Sequence, residues 1–206
     1  MLTILKKQIQ EKLATVAKFA HRLGLTPNSV SAIGFCLSIF AAVAYAVSST
    51  QQPLLLLVGV ILLLSSGFCD TLDGILARTY QQASPFGGFL DSMLDRYADV
   101  LILAGVIVSG LCNLIAGIIA LVGSMMVSYS RARAEAAGIK MESIGLVERP
   151  ERMLILAATS LIAIFWMPAL NIGIIILAIL ANFTVLQRAH HVYKTMKNKN
   201  KTGKEV

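Results

Sequence analysis

The chain has 206 residues, of which 56% are hydrophobic and only 14% charged, and its mean hydropathy is +0.74. A soluble domain of this size cannot hide that much apolar surface, so the composition excludes the ordinary soluble classes and points to a membrane protein. The net charge of +7 fits loops that face anionic lipid or an anionic substrate, and nucleic-acid binding is not needed to explain it.

At the N-terminus, Leu2, Leu5, Ile9, Leu13, Val16, Phe19 and Leu23 recur at steps of three and four, with Lys6, Lys12, Lys18 and Arg22 largely off that stripe. The pattern predicts an amphipathic interfacial helix over 1–24, lying on the membrane surface. It lacks the continuous apolar core of a cleavable signal peptide. The stretch "GLTPNS" at 24–29 breaks that helix and starts the next, with Thr26 suited to cap it and Pro27 to its first turn. Six apolar segments of near-spanning length follow, at 29–48, 53–78, 85–109, 112–137, 151–168 and 170–194. The expected fold is therefore all-α and integral to the membrane. It is one domain, with six transmembrane helices over 29–194 and a basic tail over 195–206. The connections "SSTQQP", "GLCN" and the stretch around Met167-Pro168 carry no charge, so lysine and arginine collect on one side. By the positive-inside rule that side is cytoplasmic and holds both termini of a multi-pass protein of the cell membrane. Cys36, Cys69 and Cys112 lie far apart and form neither a disulfide framework nor a metal-ligand pattern. His190 and His191 read as interfacial residues, not as ligands.

The second and third segments contain "CDTLDGILARTYQQASPFGGFLDSMLDRYADV" at 69–100, with five aspartates in otherwise apolar chain. Ionisable groups inside spanning helices are costly and mark function. Asp70 and Asp73 are three apart and share a helix face; Asp91 and Asp95 are four apart and share a face of the next helix. Only a short connection separates the two helices, which reads as an antiparallel hairpin. Asp70 and Asp91 are equally distant from its midpoint between Tyr80 and Gln81, so they fall level, with Asp73 and Asp95 about a turn to either side. Four carboxylates cannot share a low-dielectric pocket without protons or cations, and only Arg78 and Arg96 are near in sequence. Hard oxygen donors suit Mg²⁺, Mn²⁺ or Ca²⁺, and two divalent ions would balance four charges. Gly74, Ala77, Gly87 and Gly88 leave room beside the acids, and Arg78 stands one turn beyond Gly74, where a phosphate needs a cation. The competing readings are polar contacts between helices and a divalent-cation transporter. The first does not need so many matched groups. The second would place its acids nearer the midplane in broken helices.

The pattern D-x2-D-G-x2-A-R-x8-G-x3-D-x3-D, read here as Asp70, Asp73, Gly74, Ala77, Arg78, Gly87, Asp91 and Asp95, resembles the signature of the CDP-alcohol phosphotransferase family. The resemblance implies transfer of a phosphatidyl-type group from a CDP-lipid to an alcohol with release of CMP, a homodimer of six-helix protomers, and a site for two divalent cations, Mg²⁺ or Mn²⁺. It implies Asp70 and Asp91 as bridging ligands, Asp73 and Asp95 as ligands of one ion each, and Asp95 also as general base. It further implies Thr26, Pro27, Asn28, Ser29, Gly74, Arg78 and Ser84 as CDP-lipid contacts. The stretches "SYSRARAE" at 128–135, "GLVERPER" at 145–152, "FLDSMLDRYAD" around the last two acids and "QR" at 187–188 resemble the members that use inositol phosphate. These carry either diacylglycerol or archaeal ether lipid. Arg131, Arg133, Arg152 and Arg188 are then expected to hold the acceptor's phosphate. Arg131 and Arg133 are two apart and diverge on a regular helix, so both face the pocket only if the helix loosens. Glycerol phosphate or another alcohol is the alternative acceptor within the family.

Overall fold

The computed structural model describes residues 15–141 and 144–201. These residues form helices and short connections. The first, α1, is helical over 15–22. It is followed by α2 (Pro27–Val47), α3 (Leu54–Thr79), α4 (Pro85–Val108), α5 (Leu114–Ala136), α6 (Arg149–Ala163) and α7 (Pro168–Lys201). Residues 1–14 of the expected interfacial helix and 202–206 of the expected tail lie outside the described residues. In the described part of α1, Ala17 and Ala20 are buried against Val30 of α2 and Leu72 and Leu76 of α3, while Val16, Phe19 and Leu23 are exposed. The stripe that periodicity singled out thus faces away from the bundle.

Local sequence starts these helices, at α2 as anticipated. Thr26 and Ser29 form a reciprocal capping box at the start of α2, with Pro27 in the first turn. Ser84 caps α4, its hydroxyl accepting from the Gly87 amide at 3.0 Å. Asn113 caps α5 through the Ala116 amide. Glu148 and Glu151 cap α6 reciprocally around Pro150.

Four helices are long and apolar enough to cross a membrane: Pro27–Val47, Leu54–Thr79, Leu114–Ala136 and Pro168–Asn198. The other two expected spans differ for separate reasons. The helix α4 has the length, at 24 residues, but it carries Asp91, Asp95, Arg96 and Asp99 within its first 15. The helix α6 is apolar after its first turn but has only 15 residues, about 22 Å of rise. At the C-terminus, α7 runs to Lys201, so the first residues of the expected tail continue the last helix. Between Pro168 and Lys201 there is no further proline and a single glycine, Gly173, which sits against the Thr159 side chain of α6.

The helix α2 packs closely against both α3 and α4, and α5 and α6 pack on α7. Glycines permit the closest approaches. A Cβ at Gly34 of α2 would meet Cys69 of α3 at 2.9 Å, and one at Gly59 of α3 would meet the Tyr45 ring at 3.1 Å. A Cβ at Gly105 of α4 would run into the Ala42 carbonyl. In an apolar solvent, such backbone proximity takes over the associating role that hydrophobic burial has in water. The core itself includes Tyr45, Leu56, Leu63, Val106, Leu170 and Ile174, with the Tyr45 hydroxyl bonded to Ser160 Oγ at 3.1 Å. One expectation is corrected. Although a short connection joins them, α3 and α4 do not pack closely on each other; α2 contacts both, and the acids of α3 and α4 face a space instead of a hairpin seam.

Gly105→Val forces α4 away from α2 at a point with no room to yield. Overpacking costs about 1–3 kcal/mol, which corresponds to a fall in Tm of roughly 2–12 °C for a chain of this length, to be read by thermal unfolding of the purified protein in detergent.

Candidate active site

The space between α3 and α4 is lined by Asp70, Asp73, Asp91 and Asp95, with Ser31, Ser66 and Arg149 around them. Carboxylate oxygens of Asp70, Asp91 and Asp95 all lie within 4.8 Å of one another. Asp73 stands beside this trio, 5% exposed, and accepts a 2.5 Å hydrogen bond from the Ser31 hydroxyl of α2. The level pairing read from the hairpin midpoint therefore brings Asp70 and Asp91 together, with Asp95 as the third member. The donor set fits a hard divalent cation: three close carboxylate oxygens, partly buried, and a fourth carboxylate on the same wall.

The charge count differs from that read along the sequence. Arg149, at the first position of α6, places Nη1 3.0 Å from Asp70 Oδ2 and 2.7 Å from Asp95 Oδ1. Its Nε donates to Asp99 Oδ1 at 3.1 Å, and Asp99 Oδ2 accepts from Arg152 Nη2 at 2.9 Å. Arg96 pairs with Asp95 at 3.3 Å. Five acids thus meet three arginines and the site stays net negative, which still calls for cations. Arg149 and Asp99 were missed as site residues because their partners are distant in sequence. The one available signal was that Asp99 continues the Asp91–Asp95 face by one more turn.

Two hollows open on the acids from opposite sides. The first, about 220 Å³, is lined by Pro27, Asn28, Gly74, Ala77, Arg78, Ser84, Gly87 and Gly88 and reaches Asp73 and Asp91. Thr26 and Ser29 are absent from this lining. Their hydroxyls and amides bond each other at the α2 cap, so they build the rim by fixing the helix start. Gly87 is tightly fitted here: a Cβ would sit 3.0 Å from Ser84 Oγ and 3.1 Å from Asn28 Oδ1, and both side chains would have to give. A Cβ at Gly74 would meet the Arg78 guanidinium only at ordinary contact distance, 3.5 Å; what it would take up is part of the hollow.

The second hollow, about 190 Å³, is lined by Arg131, Arg149, Arg152 and Arg188 with Ser128 and Glu148, and reaches Asp70 and Asp95. Arg133 is not among these residues. The helix α5 continues unbroken through both arginines, and Arg133 lies in a separate groove between α5 and α7 with Tyr129 and Tyr193. Arg188 is 2% exposed. It donates to the carbonyls of Ile144 and Val127 and to Glu148 Oε1, and so ties the connection before α6 to α5 and α7. Arg131 is more open, paired to Glu135 at 2.9 Å. Arg152 is buried, and its Nη1 has no hydrogen-bond partner.

Apolar helices of spanning length around a charged cleft define a multi-pass membrane protein with its reactive groups inside the bundle. The chain belongs to the CDP-alcohol phosphatidyltransferase family, whose model matches residues 24–202. It is thus a lipid-synthesising transferase, which displaces the transporter reading. It is 38% identical over 196 residues to the archaetidylinositol phosphate synthase of Pyrococcus horikoshii, covering 95% of this chain and 98% of the relative. The crystal structure of the Mycobacterium tuberculosis phosphatidylinositol phosphate synthase with CDP-DAG bound superposes with a TM-score of 0.76 at 32% identity, covering 88% of this chain and 93% of that one. The same enzyme in complex with manganese and citrate gives a TM-score of 0.76 at 32% identity, covering 88% of each chain.

Asp91→Asn removes one charge from the trio and leaves one oxygen as a weaker ligand. Mn²⁺ binding, titrated by electron paramagnetic resonance on the purified protein without substrates, is expected to weaken at least about tenfold, the scale of lost ligand support.

Proposed function

We propose that this protein transfers the phosphatidyl-type group of a CDP-lipid to inositol phosphate, releasing CMP. The observation that carries the reading is the pair of hollows meeting at one carboxylate cluster. The side lined by Asn28, Gly74, Arg78 and Ser84 suits a CDP-lipid. The opposite side, with five arginines including Arg96, suits an acceptor that bears its own phosphate. The first turn of α6 also lines that side, and its N-terminal dipole favours an anion. The names of the relatives, both synthases of lipid inositol phosphates, support the same acceptor.

Asp70, Asp73, Asp91 and Asp95 would hold two divalent cations, Mg²⁺ or Mn²⁺, with Asp70 and Asp91 shared between them. The cations' chemistry is to neutralise and polarise the pyrophosphate. Thr26, Pro27, Asn28, Ser29, Gly74, Arg78 and Ser84 form the donor's seat, the first and fourth by shaping the α2 cap. Arg131, Arg149, Arg152 and Arg188 orient the acceptor, the last by holding the wall in place. The acceptor hydroxyl attacks the β-phosphorus, its proton passes to Asp95, and the bond to the CMP oxygen breaks. Asp95 suits the base role because it borders the acceptor hollow and the acid cluster at once. The wider arrangement we infer is a homodimer of six-span protomers. Residues 15–24 lie on the membrane surface, the helices that follow form the bundle, and the site faces the cytoplasm.

With CDP-lipid and Mg²⁺, CMP release is expected to be supported by inositol phosphate and far less by free inositol or glycerol phosphate; equal use of free inositol overturns the acceptor assignment. Arg152→Ala should raise the KM for inositol phosphate strongly and that for CDP-lipid little, measured in the same assay. Asp95→Asn is expected to lower kcat by about 10²–10⁴ while CDP-lipid still binds. A single-turnover rate within tenfold of wild type would leave Asp95 as a ligand only.

A further inference from the structure

Asp99 itself lines neither hollow. It stands behind the acceptor hollow's arginines, one turn beyond Asp95 on α4, with its side chain 10% exposed. Each of its oxygens holds a different guanidinium: Oδ1 accepts from Arg149 Nε at 3.1 Å and Oδ2 from Arg152 Nη2 at 2.9 Å. These two arginines are unequal in their other ties. Arg149 also reaches Asp70 and Asp95. The Arg152 side chain is bonded, among the described residues, to Asp99 alone, and its Nη1 is buried without a partner.

We propose that Asp99 is a positioning residue that sets acceptor specificity: it holds Arg149 and Arg152 on the wall of the acceptor hollow, where their free N–H groups meet a phosphomonoester. The inference rests on the phosphate-bearing acceptor assigned above. Without the Asp99 charge, Arg149 keeps only Asp70 and Asp95 as partners, so its guanidinium is drawn into the acid cluster and off the wall. Arg152 loses its one counter-charge and the tie that orients it. The donor hollow shares no residue with this triad, so the consequence falls on the acceptor.

The test uses the full-length protein in lipid nanodiscs, as wild type, Asp99→Asn and Asp99→Glu. CMP release gives the KM for inositol phosphate and for CDP-lipid, and calorimetry gives inositol phosphate binding without donor. Asp99→Asn is expected to raise the acceptor KM and weaken acceptor binding roughly ten- to hundredfold, the scale of a charged hydrogen bond, with the CDP-lipid KM within threefold of wild type. Asp99→Glu keeps the charge and should recover part of the loss. Equal rises in both KM values, or an unchanged acceptor KM, overturn the proposal. Should Asp99→Asn fail to fold, Asp99→Glu carries the test: a rise confined to the acceptor KM supports the role, and any other pattern removes it. A wild type that uses free inositol as well as inositol phosphate overturns the acceptor reading before any variant is made. A phosphate-selective wild type whose Asp99→Asn variant keeps that selectivity overturns the role of Asp99 alone.

Discussion

Like charges gathered inside an apolar bundle are the constraint from which the rest of this structure follows. Asp70, Asp91 and Asp95 bring carboxylate oxygens within 4.8 Å of one another, with Asp73 on the same wall. In a medium of low dielectric that proximity is strongly unfavourable unless every acid is answered. Hydroxyl and guanidinium groups answer part of it: Ser31 on Asp73, Arg149 on Asp70 and Asp95, Arg96 on Asp95. The helices respond as well. The glycine contacts at Gly34, Gly59 and Gly105 draw α3 and α4 onto α2, and the acids are left facing a space that a ligand can enter. The fold is tight where it is apolar and open where it is charged.

The same cluster divides the cleft in two. Asp73 and Asp91 look toward the hollow under the α2 cap, and Asp70 and Asp95 toward the hollow under the α6 cap. Two reactants can therefore be bound by different groups yet share one set of carboxylates, and the reacting atoms meet where the field is most concentrated. Arg149 is the basic group common to the acid cluster and the arginine-lined hollow.

Much of this could be read from the chain because it is local. Thr26, Pro27 and Ser84 act at helix starts, where the sequence within a turn decides the geometry. The aspartates of α3 and α4 share faces by simple periodicity, and a short connection sets their depth. What escaped is what other helices bring. Arg149 and Asp99 are distant from their partners along the chain, and nothing in their neighbours specifies the contact. The separation of α3 from α4 depends on how α2 packs, which spacing within a hairpin does not encode. Arg133 was grouped with Arg131 through the resemblance of "SYSRARAE", on the condition that the helix loosens there; α5 stays unbroken and sends the two residues in different directions. The burial of Arg188 among carbonyls was likewise invisible, because a sequence shows a cation and not the groups that surround it.

The brevity of α6 has a consequence for how a polar molecule arrives. After Ala163 the chain turns through Phe165 and Trp166, both exposed, an aromatic pair of the kind that settles at a bilayer's headgroup level. Anchored there, a helix of 15 residues falls roughly 8 Å short of the opposite hydrocarbon boundary. If α6 spans as proposed, local thinning would relieve the mismatch and draw water and headgroups down to the first turn of the helix. Arg149 and Arg152 would then lie at the bottom of a wet dimple in the membrane surface. A hydrophilic acceptor would reach them without leaving water, while the lipid partner would enter sideways from the bilayer.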